Sequence, residues 1–401
     1  MSRGGWRLPI VVLICGGAVL GLNMGIRQTF GLFLEPMTAD LGIGRGSFSL
    51  AIAVQNLLWG IMTPFFGVFA DRYGTGRSLV FGGIAYAVGI VIMALGDSLF
   101  ALHLGAGIMV GMAVSASGFP LVLAAVARAF PAERRSFALG IASAGGSAGQ
   151  FLLLPLSQAL IGGLGWVNAL LILAALAFLI VPLAAALVGK PASLSLGAQS
   201  LTDAMDDARR HNGYWLLNGG FFVCGFHVAF MATHLPAYIT NLGFDPFVGA
   251  TALALIGFFN IIGGLLAGYL GGRYRKKYLL SGIYLARAVA IVLFMLAPNS
   301  EIAVWLFSGT FGLLWLSTVP LTSGLVGDIF GARYLATLFG IVMFSHQIGS
   351  FFGAWLGGVS YDLTGSYDAV WLMAIALGLM AAILHFPIAD RPLAAAVAER
   401  S

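Results

Sequence analysis

The sequence predicts an all-α membrane protein in which twelve transmembrane helices form two six-helix bundles related by a pseudo-two-fold axis. Composition is the first reason. Of 401 residues, 60% are hydrophobic and 9% charged, against about 45–50% and about 25% in soluble domains. Mean hydropathy is +0.97. At about 20 residues per crossing, this apolar content supplies roughly twelve spans and little else. An internal repeat and the distribution of Lys and Arg are the second and third reasons. Soluble, fibrous, disordered and disulfide-framework classes fail on the composition alone.

Apolar runs bounded by Gly, Pro and charge place the spans at 8–34, 47–70, 78–96, 99–127, 136–162, 166–188, 214–240, 247–272, 278–297, 301–328, 334–360 and 368–388. Short polar pieces such as Asp97-Ser98 and Pro298-Asn299-Ser300 predict tight antiparallel connections. The run from Leu8 to Leu34 is too long for a secretory signal and lacks a small-residue cleavage site, so it reads as the first span. Cys15 and Cys224 both fall inside apolar runs and read as small core residues, not as a disulfide. One long polar stretch, Lys190 to Gly213, carries Asp203, Asp206, Asp207, Arg209 and Arg210. It divides the chain into a bundle over 1–189, a cytoplasmic linker over 190–213 and a second bundle over 214–401.

The repeat supports that division. Residues 139–166 and 339–366 align without gaps at an offset of 200, matching Gly140 with Gly340, Gly149 with Gly349, Phe151 with Phe351 and Gly165 with Gly365. Pro120-Leu121 matches Pro320-Leu321 at the same offset. At an offset of 201, GVFADRYGTGRSL (67–79) lies over GYLGGRYRKKYLL (268–280). Parallel repeats of six helices predict two bundles around a central path.

Cations set the orientation. With the N-terminus in the cytoplasm, the inside segments hold seventeen of the 20 Lys and Arg, from Arg3 and Arg7 to Arg391 and Arg400, and the outside loops hold only Arg45. The positive-inside rule then puts both termini in the cytoplasm and the protein in the cell (inner) membrane. The net charge of +5 is accounted for by these loops and calls for no nucleic acid.

The loop Gly67-Val68-Phe69-Ala70-Asp71-Arg72-Tyr73-Gly74-Thr75-Gly76-Arg77, taken with the repeat, resembles the signature loop of the major facilitator superfamily. The resemblance implies the major facilitator fold, and a conformational latch formed by Gly67, Asp71, Arg72, Gly74 and Arg77. In the second copy Gly272 stands where Asp71 does, which implies an asymmetric latch. Gly4-Gly5-Trp6 before the first span, and Arg27 two-thirds along it, resemble the monocarboxylate transporter and oxalate–formate antiporter branch. The eighth span departs from that branch: Asn260 and Gly264 stand where monocarboxylate transporters carry an Asp and an Arg. Two motifs of other branches are absent. The fifth span, GIASAGGSAGQ, lacks the Gly-Pro pair of drug–proton antiporters, and the fourth, which reads GIMVG at 107–111, lacks the arginine of sugar and drug carriers.

Placement of charge points to the cargo. All fifteen Asp and Glu fall in loops, tails or span ends, yet Arg27 and Arg287 lie inside spans. Arg27 is about 9 Å past its span midpoint at 1.5 Å per residue. Such a cation costs about 2.5–3.5 kcal/mol and stays protonated. With no carboxylate near in sequence, its counter-ion is expected to be a substrate carboxylate. Asn23 and Gln28 flank it, and Gln55, Asn56, Gln150, Asn260, Trp315 and Gln347 are expected to complete the pocket. Arg287, on an outer helix, is expected to be a structural intramembrane charge bonded to carbonyls or Tyr284. His227 and His346 fall at mid-span and are the proton-coupling candidates, histidine being the side chain that titrates near neutrality.

These readings converge on a secondary active transporter carrying a small organic anion, a monocarboxylate, by alternating access with proton symport. The alternative is an efflux carrier for hydrophobic or drug-like compounds. No catalytic set, metal-spaced cluster or phosphate-cradling loop occurs, so no enzyme activity and no cofactor is expected. The predicted partners are the anion, protons and the lipid bilayer, with the protein acting as a monomer.

Overall fold

The computed structural model describes residues 8–189, 201–331 and 334–392. Arg3, Gly4-Gly5-Trp6, Arg7, the start of the linker, Arg333 and Arg400 lie outside the described residues. Among those described, every regular element is helical.

The first spanning helix, α1, covers Pro9–Leu41. Pro9 sits in its first turn, where a missing N–H is no loss. The helix tightens to a 3₁₀ turn at Thr29–Phe33 and runs on to Leu41. It is thus longer than the span read from the sequence, which stops at 34. Glu35 and Asp40 look like loop charges, but they are held at the helix end by Arg45 and Trp166. Next come α2 (Arg45–Tyr73), α3 (Thr75–Leu95) and α4 (Leu99–Ala129). The run from Ala132 to Leu187 divides at Gly165 into α5 (132–164) and α6 (166–187). The second half supplies α7 (Asn212–Asn241), α8 (Pro246–Gly271), α9 (Lys276–Leu296), α10 (Glu301–Phe330), α11 (Leu335–Thr364) and α12 (Asp368–His385). The stretch read as linker is partly folded: Leu201–Arg210 is a helix that buries Ala204 and Ala208.

The repeat seen in the sequence is also a repeat of backbone shape. Gly165 and Gly365, matched at an offset of 200, turn the chain between α5 and α6 and between α11 and α12, with φ of 79° and 70°. Only glycine adopts such angles without strain. The fourth span of each half is interrupted at matching positions. α4 breaks at Gly118, and α10 breaks between Leu314 and Thr318, where the sequence reading placed one unbroken span.

Each bundle is locked internally by backbone-to-backbone packing. In the first, a Cβ on Gly149 of α5 would lie 2.0 Å from the Gly21 carbonyl of α1. In the second, one on Gly349 of α11 would lie 1.9 Å from the Phe222 carbonyl of α7. Small residues at such crossings let helices associate closely where lipid offers no hydrophobic drive.

Between the bundles the packing is one-sided. Gly60 of α2 meets Gln347 and Phe344 of α11, and Gly257 of α8 meets Gln150 of α5. Toward the face of the α1–α2 and α11–α12 turns, contact continues: Gly31 abuts the Ala232 carbonyl of α7, and Gly358 abuts Arg45 and Ser49. Two to three turns from the mid-depth contacts in the other direction, Gly67, Gly268 and Gly340 lie on the same helical faces and Gly140 on an adjoining one. A Cβ on any of these four would meet nothing within 4 Å. The seam is therefore shut at one face of the molecule and parted at the other, the face of the α2–α3 and α10–α11 turns.

Candidate functional site

Mid-depth on the seam, Arg27 has no carboxylate partner among the described residues. Its Nη2 donates to Asn56 Oδ1, its guanidinium carbon stands 4.7 Å from the centre of the Trp59 ring, and its Nε is buried without an acceptor. Helix geometry explains the direction. Arg27 lies one turn from Gly31, which touches α7, and Asn56 lies one turn from Gly60, which touches α11. Asn56 is fully buried and anchors its own amide on the Ile52 carbonyl at 2.8 Å. Gln347, opposite on α11, is 2% exposed, and its Oε1 has no donor. A cation with a free edge and an unfilled amide oxygen thus sit on facing walls.

Two more expected residues bridge the bundles. Gln150 Nε2 donates to the Leu253 carbonyl of α8 at 3.1 Å. Asn260 donates from Nδ2 to Ser147 Oγ of α5 at 3.0 Å, while its Oδ1 accepts the Leu316 N–H at 3.0 Å inside the α10 break. Three others are turned away from the seam. Asn23 donates to Ser117 Oγ at 2.7 Å and ties α1 to α4; Gln55 donates to the Ala106 carbonyl at 2.8 Å and ties α2 to α4. Trp315 is fully buried within the second bundle. Gln28 is 8% exposed at the end of the first part of α1.

Arg287 is fully buried. Its Nε and Nη2 donate to the Leu314 carbonyl at 3.2 and 2.6 Å, Nη2 also reaches the Trp315 carbonyl, and Nη1 faces Cys224 Sγ at 3.5 Å. The break in α10 frees those carbonyls, and the guanidinium satisfies them. The histidines are similarly engaged. His227 bonds the Ala374 carbonyl of α12 at 2.8 Å, on the far side of α7 from the path. His346 lies between α11 and α7, with its ring 5.0 Å from that of Phe221 and Nδ1 3.4 Å from Ser350 Oγ.

At the parted face, Asp71, Arg72 and Arg77 are exposed, and a Cβ on Gly67 would meet nothing within 4 Å. Gly74, at φ 97°, makes the turn into α3. Arg128 of the same bundle bonds Thr75 at 2.8 Å and feels the charge of Asp71. In the second copy of this loop, Arg275 pairs with Asp390 and Lys276 with Asp328 at 2.6 Å, all within one bundle. The Arg275 guanidinium holds the Asp390 carboxyl below the usual carboxylate range.

At the shut face lies a cluster the sequence reading passed over, having counted Arg45 only as an outside cation. Asp362 of α11 accepts the N–H groups of Arg45 and Gly46 at 2.9 and 2.7 Å. The Arg45 side chain bonds Glu35 at 2.8 Å, Tyr367 at 2.8 Å and Asn241 at 3.2 Å, and covers the Tyr361 ring at 3.7 Å. The available signal was Gly44-Arg45-Gly46, a cation between glycines at a helix start.

Comparison with known proteins bears on this geometry. Residues 13–319 match the Major Facilitator Superfamily model. The chain belongs to the Major Facilitator Superfamily. Among curated relatives, an uncharacterized MFS-type transporter, YcxA of Bacillus subtilis (strain 168), is 24% identical, with 93% of each chain covered. Monocarboxylate transporter 13 of Bos taurus is 28% identical, covering 96% of this chain and 90% of that protein. Among solved structures, a bacterial homolog of the human lysosomal transporter Spinster, inward-facing and occupied, superposes with a TM-score of 0.73 at 16% identity, covering 95% of this chain and 96% of that one. A D-xylose–proton symporter superposes at 0.69 and 15% identity, covering 97% and 100%. At these identities the structures establish the major facilitator fold. The relatives are transporters, and this superfamily member is a multi-pass membrane transporter, not an enzyme.

Proposed function

We propose that this transporter moves a small organic anion, a monocarboxylate, by alternating access with proton symport. The reading rests on Arg27. A guanidinium at mid-depth on the bundle seam, with its Nε unfilled and no acidic partner, is charge-balanced by a carboxylate that arrives as cargo. Trp59 covers one guanidinium face and Asn56 accepts one hydrogen bond from Nη2, which leaves Nε without an acceptor. Gln347, Gln150 and Asn260 line the same seam. The monocarboxylate transporters among the relatives favour the same cargo class.

The positive-inside distribution supports a reading in which the parted face is cytoplasmic, both termini lie on that side and the protein sits in the inner membrane. The structure is then the inward-open state. His346, nearer the seam than His227, carries the proton in this account, and Asp71, Arg72 and Arg77 latch the opposite state.

Uptake of radiolabelled monocarboxylates into proteoliposomes tests the reading. Arg27→Ala should lower the rate about a hundredfold, a loss of ~3 kcal/mol, as expected for removing one partner of a desolvated charge pair. Unchanged carboxylate uptake by this variant would overturn the assignment.

A further inference from the structure

Arg287 keeps one contact that the break in α10 does not explain. Its Nε and Nη2 are taken up by the Leu314 and Trp315 carbonyls, but Nη1 donates to Cys224 Sγ of α7 at 3.5 Å. Both residues are fully buried inside the second bundle. Among the described residues no carboxylate pairs with this guanidinium. Carbonyl oxygens carry partial charge only, so a full positive charge at this depth calls for an anion nearby.

Polar hydrogens from three other helices converge on the same sulfur. Thr318, the first residue of α10 beyond its break, holds Oγ1 3.2 Å from Sγ and is fully buried. Tyr284 lies about one turn before Arg287 on α9, its ring centre 5.3 Å from the guanidinium carbon. Its buried hydroxyl faces the sulfur and Thr318, and completes no hydrogen bond. From α11, the His346 ring also faces the sulfur, and it packs 5.0 Å from the ring of Phe221, one turn before Cys224. A protonated thiol is a weak acceptor with one weak donor of its own. It answers poorly to a guanidinium, two hydroxyls and an imidazole at once. A thiolate only accepts, and its bonds to these groups are charge-assisted and about twice as strong as neutral ones. The cluster is then neutral as a whole, the condition under which buried charges persist.

We propose that Cys224 is a thiolate and the intramembrane counter-ion of Arg287, with Thr318, Tyr284 and His346 as its further hydrogen-bond donors. The second bundle thereby balances its own buried cation, and the pair ties α7 to α9 beside the break in α10. The assignment concerns the second bundle alone and holds whichever solute the Arg27 site takes. It adds a reason for the different partners of the two arginines: Arg287 has an anion built into the fold, and Arg27 has none among the described residues.

Infrared spectroscopy of the full-length protein in nanodiscs reads the thiol directly, because the S–H stretch falls where no other protein group absorbs. The chain has two cysteines, so each single variant isolates one sulfur. Cys15 is buried in α1 with no charged group acting on it. Cys224→Ser, which retains Cys15, should show one S–H band at neutral pH, where an ordinary thiol is protonated. Cys15→Ala, which retains Cys224, should show none after phosphine reduction, and the band should emerge when that sample is unfolded in acid. Adding Arg287→Met to Cys15→Ala should bring the band out in the folded protein. Should that double variant fail to fold, thermal unfolding carries the test: Cys224→Asp, which keeps an anion, should melt above Cys224→Ser, which does not. The pair would be overturned by a full-strength band in folded Cys15→Ala, or by a band still missing after acid unfolding or in folded Arg287→Met with Cys15→Ala. Cys224→Asp melting no higher than Cys224→Ser would overturn it as well.

Discussion

Two arginines lie within the bilayer span of this protein, and the sequence presents them alike: each is alone in an apolar helix with no acid nearby. The structure separates them. Arg287 faces a broken helix, whose released carbonyls at Leu314 and Trp315 accept hydrogen bonds from its N–H groups. Arg27 faces the intact α2, which offers one amide oxygen and an indole face, and its Nε is left unfilled. The first fastens α10 within one bundle; the second, in the function proposed above, receives a ligand between the two.

That contrast can be broken in order of expected effect. Arg287→Met should cost about 3–5 kcal/mol of stability, because two buried carbonyls and the α10 break lose their only cation. Thermal unfolding of the purified protein checks it. Arg27→Met should leave the melting temperature close to that of wild type, while transport of a carboxylate falls steeply. A similar melting loss in both variants would erase the distinction. Asn260→Ala should cost about 1–2 kcal/mol, since it removes the acceptor for the Leu316 N–H and the bridge to Ser147. Asn56→Ala should weaken substrate affinity by about tenfold with little change in unfolding, since it frees Arg27 Nη2 to swing. The smallest effect concerns pH. The Asp390 carboxyl is lowered from its ordinary 3.8 by Arg275. Its contribution to stability is therefore present above that ordinary value and is lost as pH falls through the lowered one. In Asp390→Asn, melting temperature should fall less on acidification than it does in wild type.

Most of the fold was legible because its causes are local or periodic. Twelve spans follow from run length, and the halves follow from matches such as Gly165 with Gly365, whose shared positive φ makes the match physical. The end of α1 was missed, since Glu35 and Asp40 look like loop residues until Arg45 and Trp166 are brought to them from elsewhere. The break in α10 was missed for a related reason. Pro320, matched to Pro120 in the repeat, stands in the first turn after Trp315-Leu316-Ser317 and goes unread as a breaker, and the break is also held by Asn260 and Arg287 from other helices.

The site was legible as a set of residue types more than as a set of directions. Polarity at mid-span singled out Arg27, Asn56, Gln150, Asn260 and Gln347, which the seam does gather. The same signal singled out Asn23, Gln55 and Trp315, which point into their own bundles, because depth along a helix does not encode azimuth. His227 shows the same gap: mid-depth as expected, but turned to Ala374 of α12. The Asp362 contact had no signal of this kind, since it joins residues more than 300 positions apart.

The direct test of the account is isothermal titration of purified wild type and Arg27→Gln with a monocarboxylate and with its neutral amide. Wild type should bind the acid and ignore the amide, and Arg27→Gln should bind neither. Equal binding of the acid by both proteins would contradict the claim that this guanidinium receives the cargo.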